Sequence, residues 1–162
     1  MSAKITLGKI IGTEKIAHIS KVENGLKCNC ECVECGEKLI AVNNKNNKKE
    51  IHFRHEIESD CKGGIETALH LLAKQIVAEN NSIKLSDSKY FDYSKSEIEV
   101  FLSGYNPDVI IKNSDSDQKW LIELAVTSFV GTEKLEKIKK ENLNSLEIDL
   151  KKVDRKINPS EL

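Results

Sequence analysis

The chain has 162 residues, 39% hydrophobic and 31% charged, with 25 lysines and arginines against 26 aspartates and glutamates for a net charge of -1. That length predicts one domain, with at most a small appended module. The composition excludes wholesale disorder, and the charge excludes a uniformly basic nucleic-acid coat while leaving a local basic patch open. No run of about 18 apolar residues is present and the first residues carry no apolar signal core, so the expectation is a cytoplasmic protein without a membrane span and with reduced thiols.

In chain order, Ile5 and Leu7 alternate with Lys4, Thr6 and Gly8, which predicts a strand. Ile16-Ala17-His18-Ile19 predicts a second, with Gly12-Thr13-Glu14 as a turn between them. The five cysteines follow: Cys28, Cys30, Cys32 and Cys35 fall within eight residues, and Cys61 lies further on. An odd number, a local spacing and a reducing compartment disfavour a disulfide framework. Cys32-Val33-Glu34-Cys35-Gly36 is a metal knuckle, whose short loop brings two thiolates to one ion while the glycine lets backbone amides turn toward the sulfurs. Cys32, Cys35, His55 and Cys61 together supply the four N/S ligands of a tetrahedral structural Zn²⁺. His52 is left over, because its offset of three from His55 puts the two on opposite strand faces. Cys28 and Cys30 alternate with Cys32 and can replace a ligand or extend the site. The alternative is a set of buried thiols acting as small hydrophobes. A redox pair is disfavoured, since no thioredoxin-like strand–helix pattern surrounds the knuckle.

Lys38 to Val42 and Glu50 to Phe53 predict two strands around the polar, turn-forming stretch Asn43 to Lys49. Gly63-Gly64 then breaks the chain. Ile65 to Glu79 predicts a helix, with Ile65, Ala68, Leu69, Leu72, Ala73, Ile76 and Val77 as its apolar stripe. Glu66, His70 and Lys74 share a second face, which reads either as a solvated polar face or as part of a site. Ile83 to Tyr93 is polar and loop-like, a short strand being the alternative. Glu97 to Leu102, Asp108 to Lys112, Trp120 to Val126 and Leu146 to Leu150 predict strands. Between them lie the turn Gly104-Tyr105-Asn106-Pro107, the loop Asn113 to Gln118, and a helix from Glu133 to about Leu143. The organisation expected is a β-rich zinc-binding module over 1–62, an α-β-β-β-α-β core over 63–151 and a flexible tail over 152–162, an α+β fold.

Two acids sit where acids are costly. Glu123 lies in Trp120-Leu121-Ile122-Glu123-Leu124-Ala125-Val126, where every near neighbour is apolar, so its carboxylate must be paired, protonated or metal-bound. Asp108 opens the preceding strand directly after Pro107. Converging carboxylates repel, and a divalent cation relieves that repulsion and can activate water. The alternatives are a turn residue for Asp108 and a salt bridge to a nearby lysine for Glu123.

Pro107-Asp108 and Glu123-Leu124-Ala125 on successive strands after an acidic helix resemble the PD-(D/E)XK nuclease superfamily. The wider pattern resembles the competence protein CoiA-like family. The residues that carry it are Gly25 to Gly36, His52-Phe53-Arg54-His55, Cys61, Glu66-Thr67-Ala68-Leu69-His70 with Ala73-Lys74, Pro107-Asp108-Val109, Ile122 to Thr127 and Leu146 to Leu150. The resemblance implies a zinc-binding module ahead of a restriction-endonuclease-like core that hydrolyses DNA with Mg²⁺ or Mn²⁺. It implies Glu66, Asp108 and Glu123 as ligands of the catalytic ion. The superfamily's lysine two residues after the second acid is Ala125 here, and Lys134 or Lys74 is the candidate replacement. His70, one helical turn after Glu66, is a candidate to position a phosphate or a water. Lys134, Lys137, Lys139, Lys140, Lys151 and Lys152 offer either a phosphate-tracking patch or a solvated face. The competing expectation is an inactive module on the same fold that binds nucleic acid or a protein partner.

Overall fold

The apolar alternation of the first sixty residues is realised as five short strands: β1 (Leu7–Ile10), β2 (Ile16–His18), β3 (Gly25–Glu31), β4 (Lys38–Val42) and β5 (His52–His55). The computed structural model describes residues 4–44, 46, 50–58, 60–98, 100–101, 104, 106–116 and 118–162. Among them the fold is α+β, with two five-stranded sheets and two α-helices. The chain divides into two compact units, residues 1–72 with 153–162 and residues 73–152.

In the first unit the strand order is β2-β1-β3-β4-β5, every neighbour antiparallel. Its core gathers Ile5, Ile19, Leu39, Ala41 and Phe53 with Cys28, Cys30 and Cys32. β3 is irregular, with a register shift between Gly25 and Cys30 and Asn29 at a positive φ of 50°. The expected strand from Glu50 to Phe53 starts two residues later and continues to His55, because β4 pairs with it from Val42↔His52 to Leu39↔His55. Residues 153–162 belong to this unit. Thr6 Oγ1 donates to the Arg155 carbonyl at 3.1 Å, and Lys156 Nζ lies 2.7 Å from Glu50 Oε1.

α1 (Ile65–Glu79) spans the residues its apolar stripe predicts, and the boundary between the units falls inside it. The second unit holds its C-terminal half, then β6 (Ser82–Ser86), β7 (Lys89–Ile98), β8 (Val109–Asn113), β9 (Lys119–Ala125), α2 (Thr132–Lys140) and β10 (Asn144–Asp149). The sheet order is β10-β9-β8-β7-β6. All pairs are antiparallel except β9 with β10, which are parallel. A parallel pair needs a crossover, and α2 supplies it. Ile138 of α2 packs on Ile110 and Leu121.

Ile83 to Tyr93, expected to be loop-like, lie in a hairpin of β6 and β7 through the turn Asp87-Ser88, and Glu97 and Ile98 of the expected strand end β7. Both strands are mostly exposed and polar, so no apolar alternation marks them. Tyr93, only 2% exposed, anchors β7 to α1 by donating its hydroxyl to the Val77 carbonyl at 2.6 Å. Of the other expectations, Glu99 and Leu102 of the strand Glu97 to Leu102, Tyr105 of the following turn, Asp117 of the loop before Lys119, and Lys45, Asn47, Lys48 and Lys49 of the Asn/Lys stretch lie outside the described residues.

Removing one buried donor leaves the Val77 carbonyl without its partner. Tyr93→Phe therefore lowers the stability of the second unit by about 1 kcal/mol, read as a reduced midpoint in urea denaturation.

Candidate functional site

The knuckle residues fold as a tight turn after β3. The Cys32 amide donates to the Glu37 carbonyl at 2.8 Å, the Gly36 amide donates to the Cys32 carbonyl at 2.9 Å, and Gly36 takes a φ of 73°. β5 brings His55 to the same place, and the loop after it brings Cys61. One ligand atom from each of Cys32, Cys35, His55 and Cys61 lies within 4.8 Å of the others. Among the described residues this is the group of three or more such side chains that could hold a metal ion. The Cys32 and Cys61 sulfurs are 3.8 Å apart. His55 Nε2 is buried with no hydrogen-bond partner among the described residues.

The approach of Cys61 depends on Gly63 and Gly64, both at positive φ. A Cβ on Gly64 would meet Glu34 Cβ and Val33 Cγ2 at 2.9 Å, so the chain crosses the knuckle where a side chain has no room. Glu34 ties the crossing down: its Oε2 accepts from the Gly64 amide at 2.6 Å and from Cys61 Sγ at 3.4 Å. The thiols do not ionise alike. Burial pushes Cys32 up, and the Glu37 amide holds the exposed Cys35 below the ordinary thiol value. The Gly63 amide pulls Cys61 down, but burial and its neighbours Cys35, Cys32 and Glu34 push it up to about 12.

Cys28 and Cys30 lie outside the cluster. Cys28 Sγ donates to the Leu39 carbonyl at 3.1 Å and Cys30 Sγ to the Cys28 carbonyl at 3.2 Å, within the apolar core, and burial drives Cys30 up to about 12. They are the small hydrophobes of the alternative reading. His52 is also outside, its Nδ1 donating to the Glu50 carbonyl at 2.9 Å.

In the second unit Asp108, Ile110, Leu121, Glu123 and Ala125 alternate onto one sheet face, because Ile110 pairs with Leu121 and Val109 with Ile122. Asp108 follows in register opposite Glu123. Its Oδ2 accepts from the Leu124 amide at 2.8 Å, continuing the ladder with a side chain where β8 begins. Its Oδ1 lies 3.3 Å from Lys74 Nζ. Glu123 is 5% exposed. Its Oε2 lies 2.7 Å from Lys134 Nζ, which also donates to the Asn106 carbonyl at 2.9 Å. Its Oε1 is buried with no hydrogen-bond partner among the described residues. Burial raises the Glu123 pKa above the ordinary carboxylate value, Lys134 opposes that shift, and Asp108 and Glu147 add to it. Glu147, which the sequence reading did not single out, is the register partner of Glu123 across the parallel pair.

Glu66 and His70 lie on α1 in the first unit. Arg155 holds the Glu66 carboxylate in a fork, Nε to Oε1 at 2.9 Å and Nη2 to Oε2 at 2.9 Å. Arg155 was legible to no local pattern, since its partner is 89 residues away. Among the described residues no helix is long and apolar enough to cross a membrane. No family model, curated protein or solved structure matches the chain.

In the metal-free protein Glu123 binds its proton more tightly folded than unfolded, because its folded pKa is raised above the ordinary 4.5. The second unit therefore loses stability as pH rises from that value through the folded pKa. Glu123→Gln, which cannot ionise, flattens the dependence. Urea midpoints taken in steps from about pH 4 to about pH 7 measure it, and equal slopes for the two proteins would refute it.

Proposed function

We propose that the chain is a divalent-cation-dependent nuclease that hydrolyses DNA phosphodiester bonds, with the three-cysteine, one-histidine cluster holding a structural Zn²⁺. The observation that carries the nuclease reading is Glu123: a carboxylate inside an apolar strand, facing Asp108, with one buried oxygen that takes no hydrogen bond. A dehydrated carboxylate oxygen of this kind fits a hard cation, Mg²⁺ or Mn²⁺. The order α1, β6, β7, β8, β9, α2 and β10 adds the exposed strand β6 to the expected α-β-β-β-α-β order; the antiparallel β7, β8 and β9 followed by a crossover to a parallel β10 support a PD-(D/E)XK-like core.

Asp108 and Glu123 would hold the cation, which when bound acts as a Lewis acid toward a phosphate oxygen and lowers the pKa of a water. The chain's own part is charge placement. Lys134, 2.7 Å from Glu123 Oε2, supplies the ammonium that Ala125 does not, from where it can stabilise charge developing on a phosphate. Glu66 is engaged by Arg155, so the reading rests on the two strand acids. One observation favours the second reading, an inactive module that binds nucleic acid or a protein: Lys74 and Lys134 already neutralise Asp108 and Glu123 without a metal.

For the zinc, sulfurs bonded at about 2.3 Å at a tetrahedral angle stand about 3.8 Å apart. The Cys32–Cys61 separation of 3.8 Å fits that edge, and the unpartnered His55 Nε2 offers the nitrogen ligand. Four protein ligands close the site, so binding contributes to folding.

Protein purified without chelator should carry about one equivalent of zinc by elemental analysis. Cys32→Ser should lower that content sharply and destabilise the first unit, whereas a zinc-free wild type of unchanged stability would remove the ion. Purified protein should nick or degrade DNA only when Mg²⁺ or Mn²⁺ is added, and Glu123→Ala should abolish cleavage with zinc content unchanged. No cleavage by the wild type of single-stranded, duplex or branched DNA with either metal would leave the binding module as the reading.

A further inference from the structure

Glu147 sits on β10 directly opposite Glu123 on β9, in a parallel register that runs unbroken from Asn144↔Trp120 to Asp149↔Ala125. Register partners in a parallel pair point to the same sheet face, with backbones about 4.8 Å apart. The face that carries Glu123 therefore carries three carboxylates in a row across β8, β9 and β10: Asp108, Glu123 and Glu147. Like charges directly opposite each other on neighbouring strands are destabilising. A buried carboxylate beside a second one compounds that repulsion with desolvation.

The oxygens of the row are not equally committed. Asp108 has Oδ2 on the Leu124 amide and Oδ1 against Lys74. Glu123 has Oε2 on Lys134, and its Oε1 is buried without a hydrogen bond among the described residues. Glu147 Oε1 accepts from the Val130 amide at 2.6 Å, which fixes the side chain against the loop leading into α2. Its Oε2 takes no hydrogen bond or ion pair among the described residues. The two uncommitted oxygens thus belong to neighbours on adjacent strands, one buried and one exposed to solvent. A hard cation that keeps several of its waters needs that combination of an inner ligand and an open outer side.

We infer that Glu147 is a further ligand of the divalent cation that Asp108 and Glu123 would hold, joining Glu123 from the adjacent strand β10. This inference rests on the nuclease reading above, because it assigns a further ligand to the same site.

The test titrates Mn²⁺ into the zinc-loaded full chain and follows free Mn²⁺ by its solution electron paramagnetic resonance signal. Glu147→Gln removes the charge but keeps a side-chain oxygen for the Val130 amide. Glu147→Asp keeps the charge while the shorter side chain gives up that hydrogen bond. Glu147→Gln is expected to weaken Mn²⁺ binding about tenfold or more with an unchanged melting temperature, Glu147→Asp to retain most of the affinity, and Glu123→Gln to lose it. Wild-type affinity in Glu147→Gln, with Glu123→Gln still deficient, overturns the role of Glu147 and leaves the nuclease reading standing. A loss of affinity confined to Glu147→Asp would make Glu147 a loop anchor and also overturn the inference. No Mn²⁺ uptake by the wild type overturns both.

Discussion

The second unit is organised around one charge that its own strand cannot solvate. β9 is buried along Leu121 to Ala125, and its backbone groups are satisfied by β8 on one side and β10 on the other. The side chain of Glu123 has no such recourse. Burial drives it toward the neutral acid, and Lys134 pulls it back toward the anion. Lys134 and Ile138 are four residues apart on α2, hence on one face of that helix. The turn that seals Ile138 onto Ile110 and Leu121 therefore also delivers the ammonium to Glu123. Packing and charge compensation are one act of the crossover helix. Shifting α2 by a residue would lose both.

The first unit meets the same difficulty with thiols. Cys32 and Cys61 stand 3.8 Å apart, and Cys35 and His55 are within 4.8 Å of them. Ionising one sulfur discourages the next, so a single divalent charge at the centre is worth more there than any hydrogen bond could be. The backbone has been bent to permit this closeness. Gly63 and Gly64 cross the knuckle at positive φ, and Glu34 accepts the Gly64 amide at 2.6 Å while its other contact reaches Cys61. Glu34 lies inside the knuckle yet acts as its strut, which explains why an acid occupies a loop whose other function is to gather anions.

How much of this was legible in the sequence follows from the range of the forces involved. α1 was readable to the residue because its stripe, Ile65 to Val77, is a local pattern repeated over four turns. The ligand set was readable because knuckle spacing and residue type are themselves the chemistry. β6 and β7 were not, since exposed strands lack alternation and only Tyr93 is buried. Residues 152–162 read as a tail because Val153, Ile157 and Leu162 sustain neither a helical nor a strand period. What places them is Arg155 on Glu66 and Lys156 on Glu50, partners 89 and 106 residues away. Glu147 was missed for a related reason: flanked by Leu146 and Ile148 it looks like the solvent side of an amphipathic strand. Its meaning comes from register with Glu123, which requires knowing that β10 is parallel.

The two donor sets also differ in kind, and that difference would keep the proposed ions apart. Thiolates and an imidazole are soft to borderline ligands that favour Zn²⁺, whereas carboxylate oxygens favour Mg²⁺ or Mn²⁺. Affinity alone would not sort them, since Zn²⁺ outcompetes both of those ions at most oxygen sites. The structure adds a second discriminator at Glu123. Any cation bound there must coexist with the Lys134 ammonium 2.7 Å from the same carboxylate, or displace it. A strongly hydrated ion that keeps its waters and takes one or two carboxylate oxygens can share the residue, leaving Oε2 to the lysine and taking Oε1. An ion that strips its water and demands a closed four-ligand shell finds no such shell on this face of the sheet, while the knuckle offers one complete.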